Sequence, residues 1–255
     1  MVGHRLHVLK AGAGPIKTPG MTQPGLSDGQ QNMMDFETAR AKMVDNQIRT
    51  TDVTSHSILQ AFLTVPREAF VPARLQPLAY IDSDIEIAPA AANAGGRYVT
   101  EPSPLAKLLQ LAEITKEDAV LEIGCGTGYA SAVLSLVARS VVAVESDSAL
   151  AETASRTLAE LGYNNVSVVT CPLEKGHAAG GPYDLIYING AIEVIPAELL
   201  AQLKNGGRLI AVVGYGNASR ARIISRDGGS FSESLAFNAS LKPLPGFRAV
   251  KEFVF

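Results

Sequence analysis

A glycine-rich turn, Gly124-Cys125-Gly126-Thr127-Gly128, follows the strand-forming run Val120-Leu121-Glu122-Ile123 and opens onto a helical pattern at Tyr129. Glycines there let a ligand approach the backbone closely, and the first turn of the helix offers N–H groups without partners of their own. A dinucleotide-binding turn needs glycines at relative positions 0, 2 and 5. From Gly124 the third such position is Tyr129, and from Gly126 it is Ser131, so the spacing is G-x-G-x-G instead. Charge separates the two readings further. Glu122 lies two residues before the first glycine, where a carboxylate repels a pyrophosphate and suits a cation. Glu145 ends the next apolar run, 21 residues after Gly124, a place from which a carboxylate accepts hydrogen bonds from ribose hydroxyls. An adenosine ligand that carries positive charge meets both conditions. S-adenosyl-L-methionine, with its sulfonium and α-ammonium groups, is the expected cofactor.

These residues need a scaffold, and the sequence supplies one. Ala119–Ile123, Val141–Glu145, Val166–Thr170, Asp184–Ile188 and Arg208–Val213 are short, β-branched, nearly continuous apolar runs, as in parallel strands buried on both faces. Helical segments near Tyr129–Ala138, Ala149–Leu161 and Pro196–Leu203 alternate with them. The pattern predicts an α/β fold with a doubly wound, Rossmann-like, mostly parallel sheet. Arg222–Ser225, Ser232–Phe237 and Phe253–Phe255 have strand character with no helices between them, so the sheet is expected to end in antiparallel strands. Ahead of it, Phe36, Ala39 and Met43 recur at helical spacing from Met34. Asp52 offers an N-cap to a second helix carrying Ile58, Ala61, Phe62 and Val65, which Pro66 ends. Leu105, Leu108, Leu109 and Ala112 mark a third. Ile81 to Thr100 shows little periodicity, and its Ala/Gly-rich core, Ala88 to Gly96, is expected to be a flexible loop.

The organisation read from this is a disordered tail or upstream start-site artefact over residues 1–33, where six Gly and three Pro interrupt any period. A helical N-terminal cap with a lid segment follows over 34–102, then the cofactor-binding domain over 103–255. With 255 residues, 47% of them hydrophobic and 18% charged, the chain suits a well-packed α/β protein. A net charge of −3 argues against nucleic-acid binding, which needs an excess of positive charge. No apolar run reaches the length of a membrane span. The two cysteines, Cys125 and Cys171, suggest a reducing, cytoplasmic setting. The four histidines are scattered without metal-ligand spacing, so no metal is expected.

From about Met34 to Phe255 the chain resembles the class I S-adenosylmethionine-dependent methyltransferases and, within them, the protein-L-isoaspartate O-methyltransferase family. The resemblance rests on Val65-Pro66-Arg67-Glu68-Ala69-Phe70-Val71-Pro72, Ala79-Tyr80-Ile81-Asp82, the glycine turn, Pro182-Tyr183-Asp184-Leu185-Ile186 and Gln202-Leu203-Lys204-Asn205-Gly206-Gly207-Arg208-Leu209. The first stretch is the most family-specific. The resemblance implies methyl transfer to the carboxylate of isoaspartyl residues in damaged proteins, a reaction whose nucleophile is already ionised and whose methyl group the sulfonium already activates. It also implies a segment that closes over the cofactor and presents a hydroxyl to the acceptor. Gly96-Arg97-Tyr98-Val99-Thr100-Glu101-Pro102 stands where the family has G-Q-T-I-S-Q-P, which makes Thr100 the candidate catalytic residue. Glu101 there replaces an amide with a charge that repels a carboxylate, while Arg97 attracts one.

The expected cofactor-binding residues are Tyr98, Val99, Thr100, Glu122, Gly124, Cys125, Gly126, Thr127, Gly128, Tyr129, Glu145, Ser146 and Leu173. After the third strand of the sheet, Cys171-Pro172-Leu173 replaces the family's G-D-G turn, leaving the Leu173 backbone or Glu174 to meet adenine. Cys125 reads either as a thiolate favoured by a helix N-terminus or as a small filler beside glycines. Asn189-Gly190 reads either as a substrate-facing strand end or as turn chemistry. Two alternatives stay open: the altered lid segment suggests a methyltransferase with another acceptor, and the acid missing from the Cys171–Leu173 turn suggests a non-catalytic cofactor-binding homologue. The sequence leaves the oligomeric state open.

Overall fold

The computed structural model describes residues 1–3, 28–90 and 95–248. Most of the expected tail, the middle of the Ala88–Gly96 loop and the Phe253–Phe255 strand lie outside them. In chain order the elements are α1 (Asp28–Met43), α2 (His56–Thr64), β1 (Ile85–Ala88), β2 (Arg97–Val99), α3 (Pro102–Leu111), β3 (Ala119–Ile123), α4 (Tyr129–Ser135), β4 (Ser140–Glu145) and α5 (Ser148–Glu160). Then come β5 (Val166–Thr170), β6 (Tyr183–Ile192), α6 (Ala197–Leu200), β7 (Leu203–Val213), β8 (Arg220–Asp227) and β9 (Ser230–Asn238).

Seven strands form one sheet in the order β5-β4-β3-β6-β7-β8-β9. Pairing is parallel from β5 to β7 and antiparallel from β7 to β9. This is the expected doubly wound, mostly parallel sheet with antiparallel C-terminal strands. Chain order reverses between β3 and β6, and the crevice outside the carboxyl ends of such strands is where open α/β sheets bind ligands. Along β3 the side chains alternate. Val120 packs into the cluster shared with the N-terminal helices, whereas Leu121 and Ile123 pack on the opposite face with Leu199, Leu203 and Phe247. Glu122 therefore faces the same side as Val120, toward α4.

Three local expectations are corrected. The first helix begins at Asp28, six residues ahead of Met34. Asp52 does not cap α2. It takes a left-handed conformation (φ 65°) after a short 3-10 turn, and Ser55 precedes the helix without a side-chain cap. Gln110 of α3 explains this, because its Oε1 accepts from the N–H groups of Thr54 (2.7 Å) and Ser55 (2.8 Å), so tertiary packing orders the entry to α2. Finally, the segment with little periodicity contains an antiparallel hairpin, with Ile85 opposite Val99, Glu86 opposite Tyr98 and Ala88 opposite Arg97. Strands of three and four residues are too short to display a period.

The cap is tied to this hairpin by Arg67 of the family-specific stretch. Its fully buried guanidinium lies 4.6 Å from the centre of the Tyr129 ring. Nε donates to the carbonyl of Ala79 (2.7 Å) and Nη2 to that of Thr100 (2.9 Å).

Candidate active site

The glycine turn is held against β4, with the N–H groups of Gly124 and Cys125 both donating to the Val144 carbonyl (2.8 and 3.1 Å). Gly124, Gly126 and Gly128 all have positive φ (84°, 58° and 96°), the conformation that favours glycine. The hairpin lies on the turn. A side chain at Gly126 would meet Ile87 Cδ1 at 2.8 Å, and one at Gly124 would meet Leu244 at 2.9 Å and Arg97 Nη2 at 3.4 Å.

Glu122 and Glu145 are both fully buried at the carboxyl ends of neighbouring strands. Glu122 accepts from the Ser131 hydroxyl (2.5 Å) and from Asn189 Nδ2 (3.0 Å). Burial pushes its pKa up to about 7, with those two hydrogen bonds holding it down against that push. Asn189 Oδ1 in turn accepts from the Thr100 hydroxyl at 3.0 Å. Thr100, Asn189, Glu122 and Ser131 thus form one chain of hydrogen bonds across the crevice between β3 and β6. The β6–β7 pairing carries an irregularity between Tyr187 and Ala191, and Asn189 projects from that bulge. Gly190 sits inside β6 and not at a turn: Leu244 Cγ lies 2.5 Å from where its Cβ would be. A strap around Lys242–Leu244 bonds to both sides of Ala191, whose N–H donates to the Lys242 carbonyl and whose carbonyl accepts from Leu244.

Glu145 draws donors to both oxygens, most of them to Oε1. Oε2 accepts from the Gly126 N–H (2.8 Å), while Oε1 accepts from the N–H groups of Ser146 (2.8 Å) and Asp147 (3.1 Å) and from Arg97 Nη1 (2.5 Å). Beside it opens a cleft of about 480 Å³ bordered by Ser146, Thr170, Pro172, Leu173, Glu174 and Pro245. Near Thr100 the space is much tighter. A cavity of about 10 Å³ between Tyr98, Val99, Thr100, Cys125 and Tyr129 has room for about one water molecule.

The structure brings most of the expected residues together around the turn, in different capacities. Tyr98, Val99 and Thr100 come from β2 and its exit; Lys242 Nζ lies 5.3 Å from the centre of the Tyr98 ring. The Thr127 hydroxyl donates to the Phe70 carbonyl (2.5 Å), so it anchors the cap. The Tyr129 ring packs edge-on against Phe62 and Phe70 and is buried, which pushes its pKa up to about 12. Burial also pushes the Cys125 thiol well above its usual value, which fits the filler reading and not the thiolate. Cys125 and Cys171 are both free. Ser131 and the Lys242–Gly246 strap escaped the sequence reading. A serine at the third position of α4 carries no signal of its own, while Leu244-Pro245-Gly246 carries a turn signal but no hint of where it packs. Among the described residues no group of His, Cys, Asp and Glu is arranged to hold a metal.

The sheet order, the glycine turn at its switch point and the two buried acids define a class I S-adenosylmethionine-dependent methyltransferase. The family model for protein-L-isoaspartate(D-aspartate) O-methyltransferase matches residues 38–243. The chain is 34% identical over 211 residues to the protein-L-isoaspartate O-methyltransferase of Koribacter versatilis, covering 83% of this chain and 92% of that one. It is 40% identical over 172 residues to that of Rhodopseudomonas palustris, covering 68% and 76%. A solved protein-L-isoaspartate O-methyltransferase superposes with a TM-score of 0.70 at 27% identity, covering 81% of this chain and 66% of that longer one. The chain belongs to the protein-L-isoaspartate O-methyltransferase family.

Proposed function

We propose that this protein transfers a methyl group from S-adenosylmethionine to the carboxylate of isoaspartyl residues in damaged proteins and peptides. The observation that carries the reading is the chain Thr100–Asn189–Glu122–Ser131, which joins the lid hydroxyl to the acid beside the glycine turn in a family member. Glu145 offers carboxylate oxygens for a ribose diol, Gly124 to Gly128 offer close backbone approach, and the cleft bordered by Ser146, Leu173 and Glu174 has the volume and apolar wall for adenine. The residues fit the cofactor, which supplies a methyl group made electrophilic by its sulfonium.

The chain's own residues then have three tasks. Glu122 balances positive charge near the turn. Thr100 orients the acceptor: its hydroxyl proton rotates about the C–O bond, so the group that donates to Asn189 can donate to a carboxylate instead. The hairpin and strap exclude water by lying on the turn, which strengthens every electrostatic contact beneath them. The nucleophile is ionised at neutral pH, so no general base is required. The free thiols of Cys125 and Cys171 suit a reducing cytoplasm.

A methylation assay on an isoaspartyl peptide tests the proposal. Thr100→Ala should lower kcat/KM on the order of 10- to 100-fold, the effect of losing one hydrogen bond to a charged group. S-adenosylhomocysteine affinity should fall far less than kcat/KM. No methylation by the wild-type protein would refute the isoaspartyl assignment. One observation favours a second reading, an acceptor flanked by positive charge. Burial raises the Glu101 pKa, and Asp82 and Asp84 raise it further, so acids gather beside Thr100. Faster methylation of lysine-flanked than glutamate-flanked peptides would support it.

A further inference from the structure

Arg97 stands between the two halves of the site. Its guanidinium is buried and bonds Glu145 Oε1 at 2.5 Å, and Nη2 lies 3.4 Å from the position a Gly124 Cβ would occupy. A carboxylate offers about four lone-pair positions. On Glu145 the donors are unevenly shared: Oε2 accepts from the Gly126 N–H, while Oε1 takes the N–H groups of Ser146 and Asp147, the Ser146 hydroxyl (3.4 Å) and Arg97 Nη1. The three backbone donors belong to the turn and to the entry of α5. Arg97 alone belongs to the separate hairpin. The same side chain also borders a small cavity with Tyr98, Thr100, Asn189 and Lys242, on the acceptor side.

We propose that Arg97 is a specificity-determining residue with two partners. Its guanidinium covers Glu145 Oε1. A ribose diol that bonds both carboxylate oxygens needs a place on the crowded Oε1, so it competes there with Arg97 and frees the guanidinium. A freed, buried guanidinium needs new acceptors, and a carboxylate is the strongest of them. Glu122 is already engaged by Ser131 and Asn189, and Asp84 lies 3.9 Å from Lys242. The group left for Arg97 is the carboxylate of the acceptor, held beside Thr100. Cofactor occupancy thereby creates the acceptor's anion site, and binding is ordered, cofactor first. This rests on the cofactor placement and acceptor class proposed above.

Two titrations of the full-length protein test it, with thermal unfolding as the check on folding. In calorimetry with S-adenosylhomocysteine, Arg97→Gln should bind at least tenfold tighter than wild type, because the competitor for Glu145 is gone. In fluorescence anisotropy, an isoaspartyl peptide should bind wild type only when S-adenosylhomocysteine is present. It should bind loaded Arg97→Gln at least tenfold more weakly, with Arg97→Lys intermediate. Equal or weaker nucleoside binding by folded Arg97→Gln would overturn the competition. Equal peptide affinity, or peptide binding without nucleoside, would overturn the coupling. A wild type that binds nucleoside but not peptide overturns the isoaspartyl reading and the acceptor role together. Failure of both folded proteins to bind nucleoside overturns the cofactor placement itself.

Discussion

Burial gives Glu122 its function and also a cost. Among the described residues this buried carboxyl bonds one hydroxyl and one amide, and burial raises its pKa from the ordinary value of 4.5 to about 7. The folded state therefore keeps a proton that the unfolded chain has lost, and the stability of the free protein falls as pH rises from about 4.5 to about 7. The loss attributable to this group is on the order of 3 kcal/mol. Glu122→Gln should flatten that part of the profile, measured as the difference between the two proteins' urea midpoints across the window. An unchanged slope would show that Glu122 ionises normally in the fold. Asn189 has the opposite economy: uncharged, it bridges acid and hydroxyl and fixes the geometry of both.

At the scale of elements, the site is made by pieces that press on one another. β6 bulges to project Asn189, and the strap passes over the bulge so closely that position 190 tolerates only a hydrogen. Gly190→Ala should force Leu244 and the Lys242 carbonyl aside, lowering stability by about 1–3 kcal/mol, the range for overpacking a tight contact. Hydrogen exchange at the Leu244 amide, which donates to the Ala191 carbonyl, should accelerate more than exchange in β3 or β4. Uniform acceleration would mean that the strap and sheet open together. The hairpin is the counterpart on the other side, placing Ile87 over Gly126 and Arg97 over Gly124.

At the scale of the whole molecule, the N-terminal helices reach the site through Arg67. One guanidinium holds the Ala79 carbonyl, the Thr100 carbonyl and the Tyr129 ring, three points from separate stretches of chain. Lysine keeps the charge but cannot present two donors in a fixed fork. Arg67→Lys should therefore cost about 2–3 kcal/mol, as for lost hydrogen bonds to a charged group, and lower Tm by roughly 5–10 °C. It should reduce kcat/KM through Thr100 while S-adenosylhomocysteine affinity changes little. Loss of both in proportion would instead mark Arg67 as general scaffolding. Among the described residues no helix is long and apolar enough to cross a membrane.

Local chemistry was legible from the sequence wherever neighbours along the chain make the feature. Continuous β-branched runs mark strands buried on both faces. The glycines report the backbone conformation of their own turn, and Glu122 and Glu145 stand at fixed steps from it. The expected Ala119–Ile123 and Val166–Thr170 strands match β3 and β5 residue for residue. What the tertiary structure decided is who partners whom. Gln110 orders the entry to α2 in place of Asp52, Ser131 and Asn189 share Glu122, Leu244 closes over Gly190, and Arg97 occupies Glu145. Each of these contacts joins residues that local periodicity cannot connect, because hydrogen bonding and close packing depend on distance in space while a hydrophobic pattern reports only which face of its own element is buried.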